Sequence, residues 1–497
     1  MNGVSICSII YKDYYRMESV KKESLKGAKW SAIENLSVQG MRFILGIIMA
    51  RLLTPGDYGV IGMITIFIVI SETFIDSGFS QALVRQKDSS NADFSTVFYF
   101  NVIIAIFAYV ILFLISPFVA DFFHAPIITS VLRVLSLTII INYFMAFYVA
   151  RMTIKLDFKA LSLRSLISSI LSGIAGVIMA YYNFGVWSLV FQTIASSFIN
   201  LIFIGIYCKW LPKLEFSKDS FHRLFKYGRN MLLVNIINRI YTNITSIVIG
   251  KFYNATDLGL YDRGISLASF PVNTFNGIIS KITLPILAKI QDENERLINA
   301  YRKYITLASL LTCFGCCLVA ALARPIILLL FTEKWVDSII FLQIYAFAIM
   351  FEPITTINLI LLQVKGRSDL FLRLELIKKT ISLAILFASI PFGVIGICIS
   401  KVIYTQIAIF LNTYDTGKLF GIGYWSQFKD FIPFLLTSII VCIPSFFISY
   451  MNLPYIIRIL IGTIVAFSIY FLIMRKNNAM LELKSLIFNR NKNVATI

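Results

Sequence analysis

Hydrophobic residues arrive along this chain in fourteen separate blocks, each long enough to cross a bilayer. A helix rises about 1.5 Å per residue and needs about 20 mostly apolar residues to span the hydrocarbon core. The blocks lie near residues 30–50, 58–84, 94–117, 127–149, 164–182, 186–208, 230–250, 259–285, 304–330, 338–363, 374–390, 393–413, 430–450 and 454–474. They predict an all-α polytopic membrane protein of fourteen transmembrane helices, with almost nothing outside the membrane.

The polar positions carry an internal repeat. Sliding the chain against itself by 200 residues brings Asp57-Tyr58-Gly59 onto Asp257-Leu258-Gly259, both in the short turn after the first helix of a half. Asn35 then falls on Asn235, Asp76 on Asn276 and Ser80 on Ser280, without a gap. At an offset of 208, Phe184-Gly185-Val186 meets Phe392-Gly393-Val394 in equivalent turns. Each match is weak alone, but they occur in order and at the same topological position. A repeat of six helices gives both halves the same orientation, so a pseudo-two-fold axis along the membrane normal relates them. Transporters built this way hold substrate between the halves and rock one against the other. The expected division is a cytoplasmic tail at 1–26, an N-lobe at 27–208, a basic linker at 209–229, a C-lobe at 230–413, helices thirteen and fourteen within 430–474, and a basic tail at 475–497. The last two helices fall outside the repeat; they either complete the bundle or widen a lipid-facing groove.

Within the blocks, polar residues line up at helical spacing. Asn35, Gln39, Arg42 and Gly46 of the first block stay within about 60° of one another at 100° per residue. Asn235, Arg239, Thr242 and Ser246 repeat that spacing in the seventh. Thr65, Glu72, Asp76 and Ser80 share a face of the second block; Ser266, Ser269, Asn273, Asn276 and Ser280 share one of the eighth. An arginine at mid-membrane costs roughly 2.5–3.5 kcal/mol on insertion scales, so it should face a wet cavity or a partner. The plain alternative is a paired charge such as Arg42 with Glu72, registering neighbouring helices. One arginine on the same face of each repeat favours a shared cationic cavity, and guanidinium forks suit phosphate oxygens. Arg263 and Lys281 open and close the eighth block, where they either reach the cavity or snorkel to the interfaces. Glu72 and Asp76 are the candidates for a coupling ion or proton, since a carboxylate in low dielectric can titrate near neutrality.

Composition sharpens this picture. With 58% hydrophobic and 14% charged residues, a soluble protein of 497 residues would expose apolar surface it could not cover. A net charge of +19 invites a nucleic-acid reading, but position argues against it. Most Lys and Arg lie in the N-terminus, alternate gaps and the C-terminus, while the other gaps hold only Arg51, Lys251 and Lys334. The positive-inside rule then places both termini in the cytoplasm, so the charge reads as orientation and no nucleic-acid partner is expected. Residues 1–29 lack the apolar core and cleavage site of a signal peptide, and Met17 offers a second start that would leave residues 1–16 without a role. Cys313, Cys316 and Cys317 sit in a small-residue run of an apolar block with no histidine nearby, which reads as packing. His124 and His222 occupy different gaps, so no histidine metal or nucleophile site is expected, and no cofactor.

The run Leu53-Thr54-Pro55-Gly56-Asp57-Tyr58-Gly59, followed by Asp76-Ser77-Gly78-Phe79-Ser80-Gln81-Ala82-Leu83-Val84, resembles the polysaccharide-exporter branch of the MOP flippase superfamily. Gly185-Val186-Trp187-Ser188-Leu189-Val190 and Leu258-Gly259-Leu260-Tyr261 fit the same family. The resemblance runs from about Leu25 to the fourteenth block. It implies a transporter in the bacterial cytoplasmic membrane, not an enzyme, that moves polyprenyl-pyrophosphate-linked oligosaccharide to the outer leaflet for O-antigen, capsule or exopolysaccharide assembly. A polysaccharide polymerase and assembly proteins would be its further partners. Related flippases line a central cavity with arginines; Arg42 and Arg239 match by helix and face, and Arg263 is a third candidate for the pyrophosphate. Asn35, Gln39, Asn235, Thr242, Asn273 and Asn276 would line the sugar path. Trp30 and Trp187 would either stack on sugars or anchor helix ends. Three rival readings remain: a lipid II flippase, a multidrug cation antiporter of the same superfamily, and a membrane-embedded glycosyltransferase or polymerase. Two cationic stripes suit cationic drugs poorly. An enzyme would need catalytic residues in sizeable outer loops, where only His124 with Asp121 draws notice.

Overall fold

The structure is a computed structural model that describes residues 37–76, 91–154, 157–207, 215–477 and 479–481. Every predicted block is helical in its described part. The first contributes α1 (37–52), followed by α2 (Pro55–Asp76) and α3 (Asn91–Phe123). The fourth block divides into α4 (Ile127–Leu135) and α5 (Leu137–Ile154), and α6 (Phe158–Tyr181), α7 (Val186–Tyr207) and α8 (Lys218–Phe252) follow. After them come α9 (Ala255–Lys289), then α10 (Asn294–Ala321) and α11 (Ala323–Phe331) from the ninth block, and α12 (Ser338–Ile349) and α13 (Glu352–Val364) from the tenth. The remaining helices are α14 (Ser368–Ser389), α15 (Gly393–Phe420), α16 (Tyr424–Ile448) and α17 (Tyr455–Met474).

Eleven segments among the described residues are long and apolar enough to cross a membrane, against the fourteen expected. The difference has three sources. The start of the first block lies outside the described residues. One segment, Ser368–Phe420, holds both α14 and α15. The third is α9, which spans 35 residues but falls outside the eleven because its serines, asparagines and charges lower its hydropathy. Outward-facing side chains such as Phe118, Ile206 and Phe392 are largely exposed, as expected where the solvent is lipid.

The chain folds as two compact units that meet in sequence at Thr256. In the first, the buried stripe of α1 rests on α6, with a Leu45 methyl filling the space that a Cβ at Gly173 would take. Met49, Leu53 and Ala180 close that contact with Val177 and Leu189. A second cluster joins α3 and α5 through Ala105, Leu112, Ile139 and Tyr143, against Phe67 and Ile68 of α2. Although α8 opens the second sequence repeat, it packs within this unit on α2 and α3. The close approach is at Gly250, where a Cβ would come 2.9 Å from Met63 Cγ and 3.0 Å from a Phe123 ring carbon. At the helix end, Lys251 donates to the Phe122 carbonyl at 2.7 Å and lies 4.6 Å over its ring.

The motif around Asp57 is a helix cap. The Thr54 N–H and hydroxyl donate to Asp57 Oδ2 at 2.9 and 2.7 Å, and the Asp57 N–H returns a bond to Thr54 Oγ1 at 3.3 Å. This reciprocal arrangement satisfies orphan amides at the start of α2, where Pro55 is pre-set for the first helical position. Gly59 is required by backbone contact, since a Cβ there would fall 1.6 Å from the Ala255 carbonyl oxygen.

In the second unit α10 packs on α12, α13 and α16, and α15 packs on α12, α13 and α14. Its core centres on Trp335, Tyr301, Phe351 and Phe431. A buried polar knot ties four helices together. The Asn358 carbonyl oxygen of α13 accepts from the Tyr301 hydroxyl of α10 at 2.7 Å, Gln427 Nε2 of α16 at 3.0 Å and the Thr416 hydroxyl of α15 at 3.2 Å. The Asn358 amide donates to Gln427 Oε1 at 2.9 Å. Every one of these groups is withdrawn from solvent, so mutual satisfaction is what makes the knot affordable.

Candidate functional site

In the first unit both stripe arginines lie on exposed helix faces. Arg42 and Gln39 are both exposed on α1, Arg42 at the border of the stripe formed by Val38, Leu45 and Met49. Arg239, Asn235 and Thr242 stand on the exposed side of α8. Among the described residues neither guanidinium makes a hydrogen bond or ion pair. The carbonyl oxygen of Arg239 does take bonds, from Thr242 Oγ1 at 3.1 Å and Asn243 Nδ2 at 2.8 Å. These bonds fold the Thr242 and Asn243 side chains back on the backbone. Asn35 and Trp30 lie outside the described residues.

The pairing of Arg42 with Glu72 does not form. Glu72 Oε1 instead accepts from Asn142 Nδ2 of α5 at 3.1 Å, and Tyr143 donates its hydroxyl to the Glu72 carbonyl at 3.2 Å. Glu72 is thus held between α2 and α5 at half burial by an amide donor. Sequence reasoning passed over Asn142, the one side-chain amide in the fourth block; its sole signal was an amide in an apolar helix, which must find a partner in hydrocarbon. Asp76 closes α2, and Ser80 lies outside the described residues.

In the second unit Arg263 of α9 is half-buried, its guanidinium 5.5 Å from the Phe331 ring centre and 5.7 Å from that of Trp335. This seats it as a cation against an aromatic pair. Asn273 is exposed on the same helix. Asn276 turns its amide to Glu352 Oε2 at 3.5 Å. Glu352 opens α13 immediately before Pro353 and carries two hydroxyl bonds on its carbonyl, from Thr355 and Thr356. The polar face of α9 therefore meets a carboxylate of its own unit, as α2 meets Asn142 in the first. Lys401 of α15 lies 5.1 Å over the Tyr404 ring.

The remaining intramembrane charges serve packing. Arg133 donates from Nε to Ser116 Oγ at 2.9 Å and stacks 4.2 Å over Phe113. Arg458 donates to the carbonyls of Leu453 and Ser449 at a helix end, and Arg324 lies 5.2 Å over Tyr450. Cys313, Cys316 and Cys317 are buried free thiols. His124 does not form a catalytic pair with Asp121. Its backbone is left-handed at φ 54° and donates to the Asp121 carbonyl, while its ring faces Lys251 Nζ at 3.3 Å.

The fold is that of the lipid II flippase MurJ solved in an inward closed conformation, with a TM-score of 0.71 over 89% of this chain and 99% of that one, at 16% identity. In sequence the chain is similar to the lipopolysaccharide biosynthesis protein WzxC of Escherichia coli (strain K12), at 23% identity over 440 residues, 87% of this chain and 88% of the relative. It is also similar to the teichuronic acid biosynthesis protein TuaB of Bacillus subtilis (strain 168), at 24% identity over 359 residues, 71% of this chain and 74% of the relative. Residues 48–340, more than half of the sequence, match the family described as polysaccharide biosynthesis protein, and the chain belongs to that family.

Proposed function

We propose that this protein is a flippase that carries polyprenyl-pyrophosphate-linked oligosaccharide units across the bacterial cytoplasmic membrane for surface polysaccharide assembly, with both termini cytoplasmic. The observation that carries this reading is the pair of arginines, Arg42 and Arg239, exposed and unbonded among the described residues, Arg239 on a segment long and apolar enough to cross a membrane. A pyrophosphate bears about two negative charges and cannot enter hydrocarbon unescorted. Two guanidiniums without partners among the described residues offer it the forked, bidentate contacts that phosphate oxygens take best. Arg263, already oriented by its aromatic pair, is the third candidate. Gln39, Asn235, Thr242 and Asn273, with Asn35 beyond the described residues, supply donors and acceptors for sugar hydroxyls. Asn276 is shared with Glu352.

The lipid tail needs no escort, so the protein has to handle only the headgroup while the polyprenyl chain stays in the bilayer. Alternating access of two lobes would expose that headgroup first to one side and then to the other. Coupling falls to Glu72 and Asp76. A carboxylate whose ionised form accepts an amide bond from Asn142 changes its hold on α5 when it takes up a proton or a cation, which links charge to helix packing. The relatives' roles in teichuronic acid and lipopolysaccharide biosynthesis and the flippase fold both support this reading.

The test is reconstitution. Purified protein in proteoliposomes is given a polyprenyl-pyrophosphate oligosaccharide with a labelled sugar, and a membrane-impermeant glycosidase reports how much label reaches the far leaflet. Wild type should deplete the protected pool, and Arg42→Ala with Arg239→Ala should slow it at least tenfold. Equal rates for wild type, the double variant and empty vesicles would reject the proposal.

A further inference from the structure

The turn between α15 and α16 borders an open cavity of about 460 Å³, lined by Phe410, Tyr414, Lys418, Tyr424 and Trp425 among others. One membrane-spanning segment ends at Phe420 and the next starts at Tyr424, which sets the cavity at the boundary between hydrocarbon and water. Its mouth is apolar toward the membrane, where Phe410, Tyr414 and Trp425 are all more than half exposed.

The cavity is built on rigid ground. Gly421 ends α15 in the left-handed conformation at φ 73°, donating its N–H to the Gly417 carbonyl at 3.0 Å. Gly417 and Gly423 approach so closely that a Cβ on Gly417 would lie 2.9 Å from Gly423 Cα. The Ile422 carbonyl between them is fixed by Thr416 Oγ1 at 3.2 Å and Gln427 Nε2 at 3.3 Å, both members of the buried knot. Tyr424 is held by Phe410 at 5.8 Å and stacked on Phe428 at 5.9 Å.

Charge selects the occupant. Lys418 is exposed, and among the described residues it makes no hydrogen bond or ion pair. Of the acids nearest to it in sequence, Asp415 lies 4.0 Å from Arg373 through Oδ1, with Oδ2 buried and unbonded among the described residues, and Asp430 takes Arg302 at 2.9 Å. The hydroxyls of Tyr414 and Tyr424 are equally without partners among the described residues. Here one basic residue, Lys418, and two tyrosines, Tyr414 and Tyr424, line a single open cavity together with Phe410, Trp425, Thr413 and two glycines.

We propose that this cavity binds the phosphate headgroup of an anionic glycerophospholipid. Lys418 is the counter-ion, Tyr414 and Tyr424 donate hydrogen bonds, and the acyl chains run along Phe410 into the membrane. The site lies wholly within the second unit and involves none of the residues proposed to handle the oligosaccharide carrier.

The full-length protein in dodecylmaltoside, titrated with dioleoylphosphatidylglycerol or dioleoylphosphatidylcholine, gives the test, with retained lipid counted by native mass spectrometry. Wild type should retain phosphatidylglycerol in preference to phosphatidylcholine. Lys418→Met should weaken that retention about fivefold, the usual worth of one basic residue beside an anionic headgroup, and Lys418→Arg should restore it. Tyr424→Phe, which keeps the ring packing, should weaken it about twofold to threefold and covers the case in which Lys418→Met fails to fold. Equal retention of the two lipids, or unchanged preference in Lys418→Met and Tyr424→Phe, would overturn the proposal. Displacement of phosphatidylglycerol by a tenfold lower concentration of polyprenyl phosphate would assign the cavity to the carrier lipid instead, and would overturn it too.

Discussion

Replacing Asn358 with leucine tests whether the buried knot of the second unit holds its helices together. The two side chains have the same number of heavy atoms and the same branching, so the change is chiefly one of polarity and leaves no cavity. Two groups would lose their partners: the Tyr301 hydroxyl, now bonded at 2.7 Å, and Gln427 Oε1, now bonded at 2.9 Å. Gln427 Nε2 would keep Thr416 Oγ1 and the Ile422 carbonyl, each at 3.3 Å. An orphaned buried polar group costs about 1–3 kcal/mol. Interhelical hydrogen bonds in membrane proteins average only about 0.6 kcal/mol, which argues for the lower part of that range. Asn358→Leu should therefore destabilise the protein by about 2–4 kcal/mol. Tyr301→Phe removes a donor together with its need for an acceptor, and Asn358 Oδ1 keeps Gln427 and Thr416, so that change should cost less than about 1 kcal/mol. Unfolding in mixed dodecylmaltoside and sodium dodecyl sulfate micelles, followed by tryptophan fluorescence, measures both. Equal losses for the two variants, or a loss below about 0.5 kcal/mol for Asn358→Leu, would refute the reasoning.

Other expectations rest on single contacts. Gly59→Ala places a Cβ against the Ala255 carbonyl, where both groups are backbone, and should cost about 3 kcal/mol, the upper end for overpacking; Gly40→Ala meets nothing within 4 Å and should be neutral or gain about 0.5–1 kcal/mol from helix propensity. The same micelle assay distinguishes them. Asp57→Ala removes the acceptor of two bonds at the α2 cap and should cost about 1 kcal/mol, read as a lower midpoint in that titration.

Much of this architecture was legible in the sequence because membrane helices announce themselves by length and apolarity. That Arg42 and Arg239 recur at helical spacing with other polar residues was legible, but their lack of bonds among the described residues was not, since spacing says nothing of neighbours. Partners were not legible. Glu72 and Asn142 are 70 residues apart and Asn358 and Gln427 are 69 apart, and a single sequence carries no sign of which amide meets which partner. The wrong pairing of Arg42 with Glu72 came from charge alone, where a neutral amide won by position. The breaks inside the ninth and tenth blocks had a local signal that hydropathy hides: Pro325 and Pro353 each stand in the first turn of the helix after the break. The packing of α8 with the first unit had none, because its close approach depends on Gly250 meeting Met63 and Phe123 far away in sequence.

The central claim is that two arginines hold a lipid-linked pyrophosphate during export. Its most direct measurement is the amount of polyprenyl-pyrophosphate oligosaccharide and of surface polysaccharide in a host lacking this gene, complemented with wild type, Arg42→Ala or Arg239→Ala at matched membrane levels. The account predicts that intermediate accumulates and polymer is lost in the deletion, that wild type reverses both, and that neither arginine variant does. Unchanged polymer and intermediate in a deletion host with no second exporter, or full rescue by both arginine variants, would contradict it.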